Sequence, residues 1–338
     1  MIPAGQPTNG GARPLPAEYR YPFPPYADGW FQVSYSDELA SGDVLPLKYF
    51  GRDLVLFRNE SGQACVLDAH CAHLGAHLGH GGVVDGDSIK CPFHAWAFNG
   101  EGTCTNVPYA SKIPKKAQVG AWPVIEKNGL VMIWFHGQGE PPSWEPPDVP
   151  EHLDDAWTTY EKARWTIKTH NQEMAENAVD SAHFLYLHGT QEMPESHATL
   201  EGPLMHVRSK TVAKAYGQRV SGMIDVHCYS FGFTTTRFTG IVETLLISSV
   251  IPIDELTVDV RFTFTVRKGP TEQVTSVVGD KYRAEILRQL EADIPIWENK
   301  RYVNPPALCD GDGPIGIYRK WVKQFYTMDM PPRLAVVQ

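Results

Sequence analysis

Two short boxes, Cys71-Ala72-His73 and Cys91-Pro92-Phe93-His94, each pair one thiol with one imidazole, and 17 residues lie between them. Two thiolates and two neutral imidazoles are the ligands of a [2Fe-2S] cluster in which imidazoles replace the thiolates on one iron, a change that raises its potential. The first box runs on through Leu74 to Gly82, a segment with four glycines, which permit the positive-φ turns and close backbone approach that wrapping N–H donors around sulfide requires. Val83 to Lys90 then reads as strand, turn, strand, which predicts that the two boxes sit side by side at hairpin tips.

A structural zinc site also uses Cys and His in close pairs, but zinc fingers put both Cys in one pair and both His in the other. Here each pair is mixed, so a cluster is the reading. His70, His77 and His80 crowd the same loop and are taken as solvated or supporting imidazoles rather than ligands.

The 338 residues suffice for two domains, and 42% hydrophobic with 11% aromatic residues argues for packed cores rather than disorder. A net charge of −9 does not suggest a nucleic-acid footprint. No run of eighteen apolar residues is present, so no membrane span is expected, and the start of the chain lacks the charged and apolar regions of a secretory signal. Cys65, Cys104, Cys228 and Cys309 are scattered and read as reduced thiols, which predicts a cytoplasmic protein.

Pro and Gly crowd residues 1–27, expected to form an extended arm on the first domain. Short β runs from Gly29 to His136, among them Leu54–Arg58, Ala64–Leu67 and Gly129–Trp134, predict a small all-β domain over 28–138 that carries the cluster. The prolines of 139–150 sustain neither ladder nor helix and mark a linker. From 151 to 338 the pattern is a helix over His170 to Leu187, β runs at Val220–Tyr229, Phe233–Thr239, Val242–Ile251 and Leu256–Val266, then a helix from Gly279 to Trp297. The fold class is thus α+β, with a small all-β domain followed by an antiparallel sheet closed over a helix.

A second metal site is suggested by Asp180, His183 and His188. Residues three apart share a helix face, so Asp180 and His183 are neighbours, and His188 converges with them if the helix stops near Gly189. Two His and one carboxylate with open positions is the facial triad of non-haem Fe(II) oxygenases. In the later helix, positions 286, 290, 293 and 297 share one face, so Asp293 interrupts an apolar seam and needs a partner. Taken alone, the two His could be helix-end imidazoles, and Asp293 could pair with Arg288 or Lys300.

Cys-Ala-His-Leu-Gly-Ala-His-Leu-Gly at 71–79 and Cys-Pro-Phe-His-Ala-Trp at 91–96 resemble the two boxes of Rieske oxygenases. Respiratory Rieske proteins carry an extra Cys in each box, and Ala76 stands in the first such place; Ala95 stands where Gly is frequent. Asn177-x-x-Asp180-x-x-His183-x-x-x-x-His188 is similar to the family's mononuclear-iron box, and Asp-Ile-Pro-Ile-Trp at 293–297 to its downstream carboxylate segment, with Glu291 the alternative ligand.

The resemblance implies a Rieske domain followed by a helix-grip catalytic domain with an apolar cavity. It implies one Rieske [2Fe-2S] cluster on Cys71, His73, Cys91 and His94, and one mononuclear Fe(II) on His183, His188 and Asp293. Asp180 would bridge to a cluster ligand, His94, of the neighbouring subunit in a head-to-tail homotrimer, and Asn177 would lie near the iron. Electrons would come from a separate NAD(P)H-dependent reductase, and O2 would be the oxidant. The segments 107–114, 310–315 and 321–326 look most like the branch of cholesterol 7-desaturases and 3-ketosteroid 9α-hydroxylases, which implies a steroid-like substrate. A dihydroxylase of small arenes, and a non-catalytic Rieske electron carrier fused to an apolar-ligand module, are the rival readings.

Overall fold

Eighteen strands and four α-helices are seen in a computed structural model, which describes residues 14–215, 218–240 and 242–332. Three small antiparallel sheets form the N-terminal domain. The first has the order β1-β11-β10, with β1 (Gly29–Tyr35), β10 (Val124–Lys127) and β11 (Leu130–Phe135). The second has the order β2-β3-β4-β9, with β2 (Val44–Tyr49), β3 (Arg52–Arg58), β4 (Ala64–Asp68) and β9 (Ala121–Trp122). The third runs in sequence as β5 (Val83–Asp85), β6 (Ser88–Lys90), β7 (Ala97–Asn99) and β8 (Cys104–Asn106). The expected hairpin at Val83 to Lys90 is β5–β6, turned at Gly86 with φ 59°. Leu67, Leu78, Ile89 and Phe98 bury themselves with Cys71 and Cys91, so the cysteine loops grow directly out of a core.

The second domain is a seven-stranded antiparallel sheet in the order β12-β18-β17-β16-β15-β14-β13. Its strands are β12 (Glu161–Ile167), β13 (Glu195–Glu201), β14 (Leu204–Ala215), β15 (Gln218–Tyr229), β16 (Phe233–Thr239), β17 (Thr244–Pro252) and β18 (Val258–Val266). Helix α3 (Glu272–Asn299) lays Ile286, Leu290 and Trp297 on Leu246, Val260, Phe262 and Phe264. Because strand side chains alternate, β18 turns Asp259, Arg261 and Thr263 to its other face. There Tyr49 of the first domain donates to Asp259 Oδ2 at 2.7 Å, and Arg164 holds the same carboxylate at 2.7 and 2.8 Å. Both faces of the central strands are therefore covered, and β18 is buried at every position. Helix α4 (Ile315–Trp321) covers Met205, Val207, Val226 and Cys228 near the far edge of the sheet.

Three expectations need correction. The helix expected over His170 to Leu187 is broken into α1 (Asn171–Glu176), a 3₁₀ turn at Asn177–Val179 and α2 (Ala182–Tyr186), because Asp180 is extended at φ −89°, ψ 97°. The described part of the arm, from residue 14, lies on both domains rather than the first alone: Leu15, Tyr19 and Tyr21 pack with Leu256 and Tyr302 of the second, while Tyr26 packs on Phe50 and Phe135 of the first; the part before residue 14 lies outside the described residues. Helix α3 starts at Glu272, two turns earlier than expected, where the hydroxyl of Thr271 caps it by accepting from Val274 N at 3.2 Å. Strands β12 to β14 and helix α4 escaped the sequence reading, since their apolar positions are short or mixed with charge.

Candidate active site

The two Cys/His boxes fold into matching turns. Cys71 N donates to Ala76 O at 2.9 Å and Gly75 N to Cys71 O at 2.9 Å; in the second box Cys91 N donates to Trp96 O at 2.8 Å and Ala95 N to Cys91 O at 3.0 Å. The fifth residue of each turn has positive φ, Gly75 at 76° and Ala95 at 56°. Glycine takes that conformation freely, whereas alanine is strained in it, which explains the preference for Gly at position 95 noted above.

The turns re-sort the four donors. The thiol of Cys71 faces that of Cys91, and burial followed by this neighbour pushes it up to about 11. The imidazoles of His73 and His94 meet at 4.7 Å between centroids. Boxes that are mixed in sequence thus become a sulfur pair and a nitrogen pair in space, which suits two irons with different ligands better than one tetrahedral ion. Nδ1 of His73 and of His94 is buried without a hydrogen-bond partner, a cost a metal bond removes. His73 stacks flat on Trp96, 4.5 Å between centroids, and the Trp96 indole N–H donates to Tyr109 Oη at 2.7 Å, so the ring is held in place. His70, His77 and His80 contact one another, Gly75 O, Gly79 N and Asp53 instead.

The second centre brings together segments far apart in the chain. His183, His188 and Asp293 each offer a donor atom, all within 4.8 Å of one another. The extended Asp180 is what aims His183: the ring Nδ1–H donates to Asp180 O at 2.5 Å, which leaves Nε2 for a ligand. The Asp180 carboxylate also takes His183 N at 3.4 Å, and the neighbouring His183 side chain holds it below the usual carboxylate range. Helix α2 ends with Leu187 N and His188 N both donating to His183 O, and Gly189 stops it at φ 73°. His188 is buried, its Nδ1 has no hydrogen-bond partner, and its Nε2 lies 3.5 Å from Asp293 Oδ1.

Asp293 occupies the expected seam between Leu290 and Trp297. The cations considered as its partners are engaged elsewhere: Arg288 pairs with Glu285 at 2.6 Å, and Lys300 with the fully buried Glu173 at 2.7 Å. Glu291 is exposed on another face of the helix. Pro295 does not end the helix, which continues to Asn299. Asn177, half-buried, opens the 3₁₀ turn and is not among the converging donors. The donor chemistry fits a metal: two imidazoles and one carboxylate, His188 and Asp293 buried and His183 half-buried, with the unpartnered Nδ1 of His188 a cost that an ion would remove.

Supporting residues escaped the sequence reading. Glu176 takes Arg319 at 2.6 and 2.8 Å and, with Glu173, receives Lys300, tying α1 to the end of α3. Arg20 of the arm donates to the last carbonyls of α3, Glu298 O at 2.6 Å and Trp297 O. The one hint in the chain was Glu173 and Glu176 three apart in an otherwise buried helix. A cavity of about 220 Å³ opens between the sheet and the first turns of α3, lined by Thr158, Glu161, Thr275, Asp280 and Arg283. Gly279 on its wall is about 20 Å along the helix from Asp293, so it does not correspond to the expected apolar cavity beside the metal.

Two domain families match the chain: the Rieske [2Fe-2S] domain over residues 29–118 and the 3-ketosteroid 9alpha-hydroxylase C-terminal domain over 133–326. A 3-ketosteroid-9-alpha-monooxygenase oxygenase component of Rhodococcus rhodochrous is 32% identical over 89% of this chain and 81% of its own length. Cholesterol 7-desaturase of Caenorhabditis elegans is 31% identical over 92% of this chain and 79% of its own. Among solved structures, dicamba monooxygenase bound to dicamba superposes with a TM-score of 0.71 at 18% identity, covering 88% of this chain and 96% of that one, which is a likeness of fold. Matching domains in this order, with relatives of this similarity along nearly the whole length, show that the chain belongs to the Rieske non-haem iron oxygenases, enzymes with a Rieske [2Fe-2S] cluster and a mononuclear iron.

Proposed function

We propose that this chain is the terminal component of a monooxygenase system that hydroxylates or desaturates a steroid-like substrate, with Cys71, His73, Cys91 and His94 holding the cluster and His183, His188 and Asp293 holding the iron. The observation that carries it is the convergence of His183, His188 and Asp293 within 4.8 Å in a chain that also presents a thiol pair and an imidazole pair. When bound, the iron supplies O2 activation and the cluster supplies electrons one at a time. The residues supply the rest. Asp180 O fixes the tautomer of His183, and burial keeps water from the side chains of His188 and Asp293. The steroid assignment rests on the relatives, which are described as acting on cholesterol or 3-ketosteroids.

The working unit in this reading is a head-to-tail homotrimer in which Asp180 accepts a hydrogen bond from His94 of a neighbouring copy, with Asn177 close by. An apolar rim beside the imidazole pair, with exposed Leu74, Phe93 and Tyr109, supports contact between copies there. A separate reductase is needed because the chain has no flavin or nicotinamide fingerprint and its Rhodococcus relative is described as an oxygenase component. Among the described residues no helix is long and apolar enough to cross a membrane. A cytoplasmic setting is supported by six cysteines without a disulfide.

The test is a single turnover: iron-replete protein, reduced without oxygen, is mixed with cholesterol, 7-dehydrocholesterol or 3-ketosteroids, exposed to O2 and read by mass spectrometry. Added oxygen identifies a hydroxylase and loss of two hydrogens a desaturase. An unchanged panel with an oxidised cluster and product from a small arene would overturn the steroid assignment, and two irons per chain instead of three would favour an electron carrier.

A further inference from the structure

A second set of metal-binding side chains lies on the sheet, outside the centres already described. His206 on β14 faces His227 on β15 directly across the antiparallel pair, and Asp225, two residues before His227, projects from the same face. Donor atoms of His206, Asp225 and His227 all lie within 4.8 Å of one another, and the two imidazoles stack at 4.1 Å. His206 Nε2 contacts Asp225 Oδ1, while Nδ1 of His227 is buried and has no hydrogen-bond partner.

We propose that His206, Asp225 and His227 form a site for one divalent transition-metal ion of the zinc class, distinct from the oxygenase iron. Two imidazoles and one carboxylate leave a fourth position open, as in known zinc sites. Next to His227 is a cavity of about 70 Å³, lined by Thr235, Arg237 and the linker residues Pro147, Asp148 and Val149, with room for the water such a site carries. The two nearby cations do not block it. Arg237 is held by the buried Glu151 at 2.6 and 3.0 Å, and the exposed Arg208 reaches Asp225 only at 3.7 Å. The ion would clamp the β14–β15 hairpin where the linker crosses it, so it serves the fold rather than the oxidation.

The test uses the full-length, iron-loaded protein titrated with Zn2+ by calorimetry and with Co2+ by visible absorption. The expected result is one ion per chain beyond the iron, with a rise in melting temperature. In Asp225→Asn and in His227→Ala the affinity drops by more than the about 10–100-fold that outer partners of a metal are worth. In His188→Ala it stays unchanged, with cluster absorption confirming that each variant is folded. No saturable binding, binding equal in wild type and in both Asp225→Asn and His227→Ala, or binding lost in His188→Ala would each overturn the site. The first result reduces the cluster to a His206–Asp225 hydrogen bond, and the last assigns the ion to the iron centre.

Discussion

Oδ1 of Asp293 stands 3.5 Å from Nε2 of His188, both side chains buried, although one belongs to the long helix α3 and the other to the end of the short helix α2. Like-for-like packing does not bring them together. They are neighbours because α1 and α3 are locked by Lys300 and its two glutamates, and because Asp180 breaks the earlier helix so that His183 and His188 turn the same way.

Replacing Asp293 by Ala removes one of three donors and leaves the half-buried His183 and the buried His188 without a carboxylate partner. The iron count is expected to fall from about three to about two per chain while the visible spectrum of the cluster is kept. Glu291→Ala, at an exposed position, is expected to leave the count unchanged; metal analysis of the purified variants decides between them.

Asp180→Asn keeps the backbone carbonyl that orients His183 but removes the carboxylate charge. Product per reduced cluster is expected to drop about 10–100-fold with iron content intact. Single-turnover product yield measured beside cluster oxidation checks this, and normal turnover would remove the bridging role from Asp180.

Ala95 sits at φ 56° in the second cysteine turn, in the place that Gly75 fills in the first. Ala95→Gly is expected to relieve about 1 kcal/mol of backbone strain and raise the melting temperature by about 2–4 °C. A calorimetric scan of the cluster-loaded protein reads the effect.

His170 caps α1, its Nδ1 accepting from Gln172 N at 3.0 Å while Nε2 meets Pro24 O at 3.3 Å, an arrangement only the neutral ring satisfies. Burial pushes its pKa down to about 3. A base whose folded pKa lies below its unfolded value of about 6.5 costs stability as pH falls through that interval. The cost is about 1.4 kcal/mol per pH unit below pH 6.5, levelling off near pH 3. His170→Asn retains a capping side chain and cannot titrate, so its urea-unfolding free energy is expected to fall less steeply between pH 6.5 and 5.

Arg20→Ala removes the donors from the last carbonyls of α3 and is expected to cost about 1.5–3 kcal/mol, the range for hydrogen bonds to a charged group. Because α3 carries Asp293, faster iron loss to a chelator is expected as well, measured as a release rate.

Local rules were enough for the parts whose chemistry is carried by neighbours in the chain. The donors Cys71, His73, Cys91 and His94, the Gly189 stop after His188, and the seam of Ile286, Leu290, Asp293 and Trp297 are all set by spacing, since turn and helix periods are short-range properties. What only the tertiary structure decided is pairing over distance: thiol with thiol and imidazole with imidazole across two hairpins, Asp293 rather than Glu291 beside His188, Arg20 of the arm on the end of α3, and His206 opposite His227. Strand register and helix docking depend on the buried surface of many residues at once, and no window of the sequence contains that sum.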